Sequence, residues 1–292
     1  SPSGVVNPFG SAATPAREHA WRGTGTVLVV DDEEMVRSLT RSVLVRAGFQ
    51  VLLAEDTLRH GFRLPARVRE APYLNKPPLF FWSAALAALR AGRASDRDAP
   101  IPSVVAALAT LLGVFVIGRR LSGIHTGFIA LAVLATAPGF FVHSHQVLPD
   151  MMFAAWLTWA LYFLLSGLGT LPPRRAQLAG FYCCVAGALW TKGLPALMVI
   201  PATLAAFVVT VGVRNLPSFR PGTGLALIAL TALPWAVPYA LTPEHEGSQA
   251  IGIGQALIWY LDRFRRLSSV PFVDGLVGFL PWALCLVPAA LW

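Results

Sequence analysis

Three charged residues, Lys76, Asp150 and Lys192, border long apolar runs in a chain that is 55% hydrophobic and 13% charged. Lys76 directly precedes Pro77-Pro78 and a block of aromatic residues, and each proline pushes the residue before it toward extended backbone. A lysine held on such a stiff lead-in at a membrane surface suits a phosphate-bearing lipid headgroup. The alternative is a lysine that anchors a helix end while its ammonium group reaches the interface.

The elements that must position these residues are apolar segments of membrane-spanning length. A soluble domain carries about 25% charged residues, so the low charge and the mean hydropathy of +0.60 predict a mainly α, polytopic helical membrane protein. About seven spans are expected. They cover residues 101–118, 124–142, 151–168, 176–190, 194–213, 222–241 and 272–292. An apolar helix from Leu79 to Leu89 is too short to cross roughly 30 Å of hydrocarbon, so we expect a juxtamembrane position for it.

Arginines in alternate loops predict the orientation of these spans. Arg119-Arg120, Arg174-Arg175 and Arg214 with Arg220 fall in every second loop, which the positive-inside rule places in the cytoplasm. The net charge of +8 therefore indicates membrane orientation and contact with membrane lipids, and it does not indicate nucleic acid. The opposite, outer side then holds Lys76, Asp150, Lys192 and the loop at 242–271.

Neither the histidines nor the cysteines predict a metal site. His143 and His145 lie near Asp150, but a spacing of two residues does not put both imidazoles on one helical face. Cys183, Cys184 and Cys285 all lie in apolar runs without disulfide or metal-ligand spacing. We therefore predict no cofactor, with a divalent cation at the histidines and Asp150 as the minor alternative.

The first 57 residues form two further predicted domains. Residues 1–25 are predicted to form a linker. Residues 26–57 are predicted to form a partial β-α-β segment whose second strand covers 50–54. The stretch "VLVVDDEEMVRSLTRSVLVRAGFQVLLAED" resembles the first half of a response-regulator receiver domain. The resemblance implies that Asp31 and Asp32 help to hold Mg²⁺. No third strand with a phosphoacceptor aspartate follows, so we expect no phosphotransfer here.

Six stretches in residues 58–292 carry a second resemblance. They are "PYLNKPPLFFW", "IPSVVAALATLLGVFVIGRRLSG", "LATAPGFFVHSHQVLPDMMFAAW", "LWTKGLPALMVIP", "LDRF" and "GFLPWALCLVPAAL". Together they resemble the bacterial GT-C membrane glycosyltransferases related to protein O-mannosyltransferases and 4-amino-4-deoxy-L-arabinose transferases. The resemblance implies inverting transfer of a sugar from a polyprenyl-phosphate donor to a lipid or protein acceptor. It also implies a location at the outer face of the cytoplasmic (inner) membrane.

The resemblance assigns roles to single residues. Lys76, Arg263 and Lys192 match positions that contact the donor phosphate, and Asp150 matches a catalytic aspartate that can orient the acceptor or pair with a cation near the donor. Three alternatives stay open. Asp150 can act as the N-cap of the following helix. Lys192 can be a helix-end anchor, and Arg263 can belong to a basic patch that faces lipid headgroups.

Departures from the family pattern predict impaired transfer. The family's catalytic base is an aspartate after a first spanning helix, and here that interval holds the receiver-like segment, whose Asp32-Glu33 we do not assign as the base. Loss of a general base costs about 10²–10⁴-fold in rate. His145 and Pro100 also stand where the family has arginines. The alternative function is a phosphorelay protein whose receiver segment is attached to a membrane domain. A transporter is disfavoured because the charges gather at span ends.

Overall fold

The computed structural model describes residues 54, 56–64, 67–68, 71–72, 76–89, 98–193, 195–196, 209 and 212–241. The chain divides into two units, Ser1–Val43 and Leu44–Trp292, and all described residues belong to the second. The predicted linker and most of the receiver-like segment therefore lie outside the described residues, as does the predicted span at 272–292. The predicted span at 194–213 lies outside them for most of its length.

The described part of the chain is mainly helical, as predicted. The helices, in chain order, are α1 Leu79–Ala88, α2 Ile101–Ser122, α3 Ile124–Ala135, α4 Pro138–Ser144, α5 Asp150–Leu168, α6 Arg175–Lys192 and α7 Pro221–Leu241, with a 3-10 helix over Val213–Phe219 before α7. Two short strands, β1 Arg67–Val68 and β2 Ala71–Pro72, pair antiparallel ahead of α1.

The predicted strand at 50–54 is wrong at its one described residue, because Ala54 is helical and precedes helical residues 56–60. Ala54 is fully buried and packs with Ala84 and Ala88 of α1. The helix ends at Gly61, whose φ of +83° favours glycine and whose N–H donates to the carbonyl of Thr57. Packing against α1 thus outweighs the strand propensity of the local sequence.

Three helices are long and apolar enough to cross a membrane: Ile101–Ser122, Asp150–Leu168 and Pro221–Pro238. They confirm the predicted spans at 101–118, 151–168 and 222–241. Helix α6 has 18 residues and is about 27 Å long, but it is not one of these three helices, so the predicted span at 176–190 stays a prediction. The total of about seven spans stays a prediction.

The predicted single span at 124–142 is broken. Helices α3 and α4 meet at a bend of 70°. Ala137 is extended, with φ of −74° and ψ of 119°, and Pro138 begins α4. A proline has no N–H to continue the preceding helix, and it disfavours helical backbone in the residue before it. The segment is therefore either a kinked span or one that re-enters the membrane.

Helices α2 and α5 run parallel. The Ser103 hydroxyl at the start of α2 donates to the carbonyl of Leu148, just before α5, over 3.2 Å. Arg120 at the far end of α2 donates to the carbonyl of Ser166 near the end of α5 over 3.4 Å. Helix α3 runs back along α2, since a Cβ on Gly118 would lie 3.0 Å from Gly127.

Helix α6 runs antiparallel to α5 and packs tightly against it. A Cβ on Gly180 would lie 2.6 Å from the Phe163 ring, and one on Gly187 would lie 2.7 Å from the Trp156 ring. The missing side chains of these glycines give the two rings their space. Buried residues of α5, α6 and α7, including Leu164, continue this contact into one apolar core.

Helix α7 runs parallel to α6. The Tyr182 hydroxyl donates to the carbonyl of Phe219 over 2.8 Å, and the Trp190 indole donates to the carbonyl of Thr231 over 2.7 Å. Helix α6 thus ends at one end of the bundle, and α7 begins at the opposite end. The helix directions bring Lys192 and Asp150 to one end and the predicted cytoplasmic arginines to the other.

Candidate functional site

The centre of the candidate site is an ion pair between α5 and α6. Asp150 is the first residue of α5 and Lys192 is the last residue of α6, so the antiparallel packing of these helices brings the two together. The Lys192 ammonium group donates to Asp150 Oδ1 over 2.6 Å. The side chains are 31% and 38% exposed, respectively. This is a charge-assisted hydrogen bond, the strong class of hydrogen bond in proteins.

The structure corrects the interpretation of Asp150 as a helix N-cap. The N-cap residue of α5 is Pro149, and no side chain caps the helix. Asp150 is instead the first helical residue, where a carboxylate interacts favourably with the positive end of the helix dipole. Its carboxylate bonds to Lys192 and does not cap the helix.

Lys192 is fixed at the end of α6 by more than the ion pair. Its ammonium group lies 5.3 Å from the centre of the Phe153 ring, a cation–π distance. The helix ends at Gly193, whose φ of +73° favours glycine. A Cβ on Gly193 would lie 3.4 Å from the Pro77 ring. The lysine–proline lead-in that the sequence singles out therefore lies directly beside the end of α6.

Lys76 joins this pair electrostatically. The half-buried Lys76 acts on the Asp150 carboxylate through its positive charge. The two ammonium groups and the one carboxylate together carry a net charge of +1. A cluster with this net charge can attract and hold a phosphate monoanion while keeping a carboxylate beside it.

The loop before Asp150 is held from two sides. Ser103, which is fully buried, bonds to the carbonyl of Leu148 at the top of α2. Phe80 and Phe81 of α1 are also fully buried and pack against partly buried Val147 and Met152. These contacts fix the position of Asp150 along the bundle axis. The role of Ser103 was not predicted from the sequence, because its hydrogen-bond partner lies 45 residues away in the chain.

The two histidines are engaged locally. His143 Nδ1 lies 2.7 Å from the carbonyl of Gly139, and His145 Nδ1 lies 3.0 Å from the carbonyl of Phe141. In the described ranges no group of three His, Cys, Asp or Glu side chains is placed to hold a metal ion. The minor alternative of a cation bound by the two histidines and Asp150 stays a prediction.

An aromatic cluster beside the site was missed by the sequence analysis. The Trp82 ring of α1 lies 5.8 Å from the Trp190 ring of α6 and 5.5 Å from the Phe62 ring, which meets it edge to face. Trp190 in turn bonds to a carbonyl of α7. These rings tie α1, and hence the lead-in with Lys76, to the helix that ends in Lys192. The tryptophans are visible in the sequence, but their contacts depend on helices far apart in the chain.

Three predicted site residues lie outside the described residues. They are Arg263, predicted to contact the donor phosphate, and the receiver-like acidic pair Asp31 and Asp32. Their roles stay predictions. The described helices nevertheless define a class: an integral membrane protein of packed apolar helices with a lysine–aspartate–lysine site at one end.

The dolichyl-phosphate-mannose-protein mannosyltransferase family matches residues 75–237, which is more than half of the chain. The chain belongs to this family. The match begins one residue before Lys76 and includes Asp150 and Lys192. No curated protein matches the chain.

Two solved structures share the fold. A crystal structure of ArnT from Cupriavidus metallidurans bound to undecaprenyl phosphate has a TM-score of 0.65 at 20% identity, over 85% of this chain and 49% of that one. The apo structure of the same protein has a TM-score of 0.63 at 19% identity, over 85% and 48%. The chain thus spans about half the length of these structures. They confirm the predicted GT-C-type fold, and neither they nor the family match supports the phosphorelay alternative.

Proposed function

We propose that this chain takes part in transfer of a sugar from a polyprenyl-phosphate carrier to an acceptor at the outer face of the cytoplasmic membrane. The observation that carries the proposal is the meeting of Lys76, Asp150 and Lys192 at one end of the bundle. Membership of the mannosyltransferase family supports it. The fold shared with ArnT, which was crystallised with undecaprenyl phosphate, supports a polyprenyl-phosphate donor.

The reaction is a single displacement with inversion at the anomeric carbon. The bond from that carbon to the phosphate oxygen breaks, its electron pair stays on the leaving polyprenyl phosphate, the acceptor oxygen forms the new bond, and the proton of the acceptor hydroxyl is released to water. Negative charge therefore grows on the phosphate in the transition state. The Lys76 ammonium group is the residue that stabilises this charge in our proposal, because it stands on the rigid lead-in beside the ion pair.

Asp150 is the proposed catalytic carboxylate. It is the one carboxylate residue in the sequence between 101 and 241, and its bond to Lys192 favours the ionised form that can accept a hydrogen bond from an acceptor hydroxyl. In this proposal Lys192 holds Asp150 in position, and its positive charge also attracts the donor phosphate. The general base that the family supplies upstream is not assigned here, so we propose that transfer is slow.

The first experiment measures binding of undecaprenyl phosphate to the purified chain in detergent by native mass spectrometry. Lys76→Ala removes a charge-assisted contact worth about 1.5–3 kcal/mol, so we expect binding to weaken about 10- to 150-fold. Arg214→Gln removes one positive charge at the opposite end of the bundle and serves as the matched control. Equal weakening by both variants would mean that only net charge matters, and the Lys76 assignment would be abandoned.

A second experiment measures turnover with a labelled polyprenyl-phosphate sugar and either a lipid or a peptide acceptor. We expect slow transfer by the parent chain and a further loss in Asp150→Asn with donor binding retained. If the parent binds the carrier but transfers nothing to either acceptor, the chain is a carrier-binding protein and the transferase proposal fails.

A further inference from the structure

The end of the bundle opposite Asp150 is strongly basic. Every arginine between residues 101 and 241 lies at this end, which we call the arginine end: Arg119, Arg120, Arg174, Arg175, Arg214 and Arg220. All six are exposed, and in the described part of the chain none of them forms a salt bridge. Because the sequence from 101 to 241 has its single carboxylate residue at the opposite end, that segment supplies no counter-ion for this cluster.

Two of these arginines are tied to one point, the last turn of α5. The Arg120 guanidinium donates to the carbonyl of Ser166 over 3.4 Å. The Gln177 amide donates to the same carbonyl over 3.0 Å, and its oxygen accepts the backbone N–H of Arg174 over 2.7 Å. These hydrogen bonds hold the Arg120 guanidinium and the Arg174 backbone at the C-terminal turn of α5.

Gly169 leaves room for one of the guanidinium groups. A Cβ at this position would lie 2.7 Å from Arg120 Nη2, so the guanidinium rests where any other residue would place a side chain. One N–H of that group is used by the carbonyl of Ser166, and the exposed remainder faces outward. A guanidinium presents its N–H donors as a planar fork, a geometry that matches two oxygens of one phosphate group.

Exposed apolar side chains border the same place. Leu121, next to Arg120, is 64% exposed, and Leu171 in the loop after α5 is also exposed. A phosphate with an attached acyl chain can contact both the guanidinium groups and these leucines, whereas a free phosphate ion can contact the guanidinium groups alone. The charge and the apolar border thus indicate a lipid.

We propose that the arginine end binds the headgroup phosphate of an anionic phospholipid, with Arg120 and Arg174 as its principal contacts. This site is separate from the proposed donor site and goes beyond the proposed function. Its ligand stays bound and is not consumed. Each basic residue at the membrane surface increases the affinity for an anionic lipid about five-fold.

The test titrates the full chain in detergent with phosphatidylglycerol and, separately, with phosphatidylcholine, and counts bound lipid by native mass spectrometry. We expect the parent to bind phosphatidylglycerol more tightly than phosphatidylcholine. We expect R120Q/R174Q to lose about 25-fold in affinity for phosphatidylglycerol and nothing for phosphatidylcholine. R63Q removes an exposed positive charge next to Phe62, whose ring meets Trp82, and should leave the preference unchanged.

Two further arms separate the sources of phosphate and guard against misfolding. Inorganic phosphate at constant ionic strength should not displace phosphatidylglycerol, and displacement would overturn the lipid assignment. R120K/R174K keeps both charges without the planar fork, so it should fold like the parent and still lose part of the preference. Equal binding of both lipids by the parent, or an unchanged preference in both double variants, would overturn the proposal.

Discussion

The ion pair between Asp150 and Lys192 allows a quantitative prediction. At an N–O distance of 2.6 Å, two unit charges attract by roughly 6 kcal/mol at an effective dielectric constant of about 20 and by roughly 1.6 kcal/mol in water. Side-chain entropy and lost hydration offset most of this. Exposed pairs are worth up to about 1 kcal/mol, while breaking a buried pair costs about 3–5 kcal/mol. With about a third of each side chain exposed, we expect a coupling energy of about 1–2 kcal/mol.

The assay is a double-mutant cycle on the free energy of unfolding. Asp150→Asn, Lys192→Gln and the double variant are unfolded with SDS in mixed micelles and followed by tryptophan fluorescence. Each single variant should lose about 2 kcal/mol, because it leaves one charge without its partner. The double variant should lose little more than either single variant.

The matched control pairs Asp150→Asn with Arg214→Gln, which lies at the arginine end. Those two changes should be additive, since sites far apart with no shared partners show coupling below about 0.5 kcal/mol. If the Asp150–Lys192 cycle is additive to the same degree, the contact contributes no net interaction. The reasoning about the site geometry would then be refuted.

Two predictions concern the packing of α6, and the same unfolding assay measures both. Gly180→Ala inserts a methyl group 2.6 Å from an aromatic ring of α5 and should destabilise the fold by about 1–3 kcal/mol, whereas Gly222→Ala enters open space and should be neutral or slightly stabilising. A neutral Gly180→Ala would show that the two helices do not approach this closely. Trp190→Phe removes a 2.7 Å hydrogen bond to a carbonyl of α7 and should cost about 1 kcal/mol, and unchanged stability would argue against that bond.

The distribution of charge along the chain was enough to predict the two ends of the bundle. The arginines lie in alternate loops, and Asp150 and Lys192 lie between these loops. Because successive helices alternate in direction, this order along the chain predicted which residues meet at each end. The long apolar runs likewise predicted α2, α5 and α7, because their length alone separates them from helices of soluble domains.

Other features depend on contacts that no local pattern contains. The bond of Asp150 to Lys192 joins residues 42 positions apart, and its existence depends on the register between α5 and α6. Glycines at the contact, such as Gly180, set that register by admitting aromatic rings. The bend at Pro138 could have been predicted from the sequence, because a proline disfavours helical backbone in the residue before it. It was not predicted because the run at 124–142 is apolar along its whole length.

The ion pair also has a consequence for how α5 and α6 enter the bilayer. On the topology that the arginines predict, the end of this helical hairpin with Asp150 and Lys192 is the one that crosses during biosynthesis. A lone charge at the bilayer centre costs about 2.5–3.5 kcal/mol on insertion scales, whereas two opposite charges in contact cross as a neutral pair. We therefore expect α5 to insert poorly until α6 has been synthesised, and insertion measured on chains ending after each helix would show it. The Asp150–Lys192 contact would thus first help the carboxylate to cross the membrane, and would shape the site only in the folded protein.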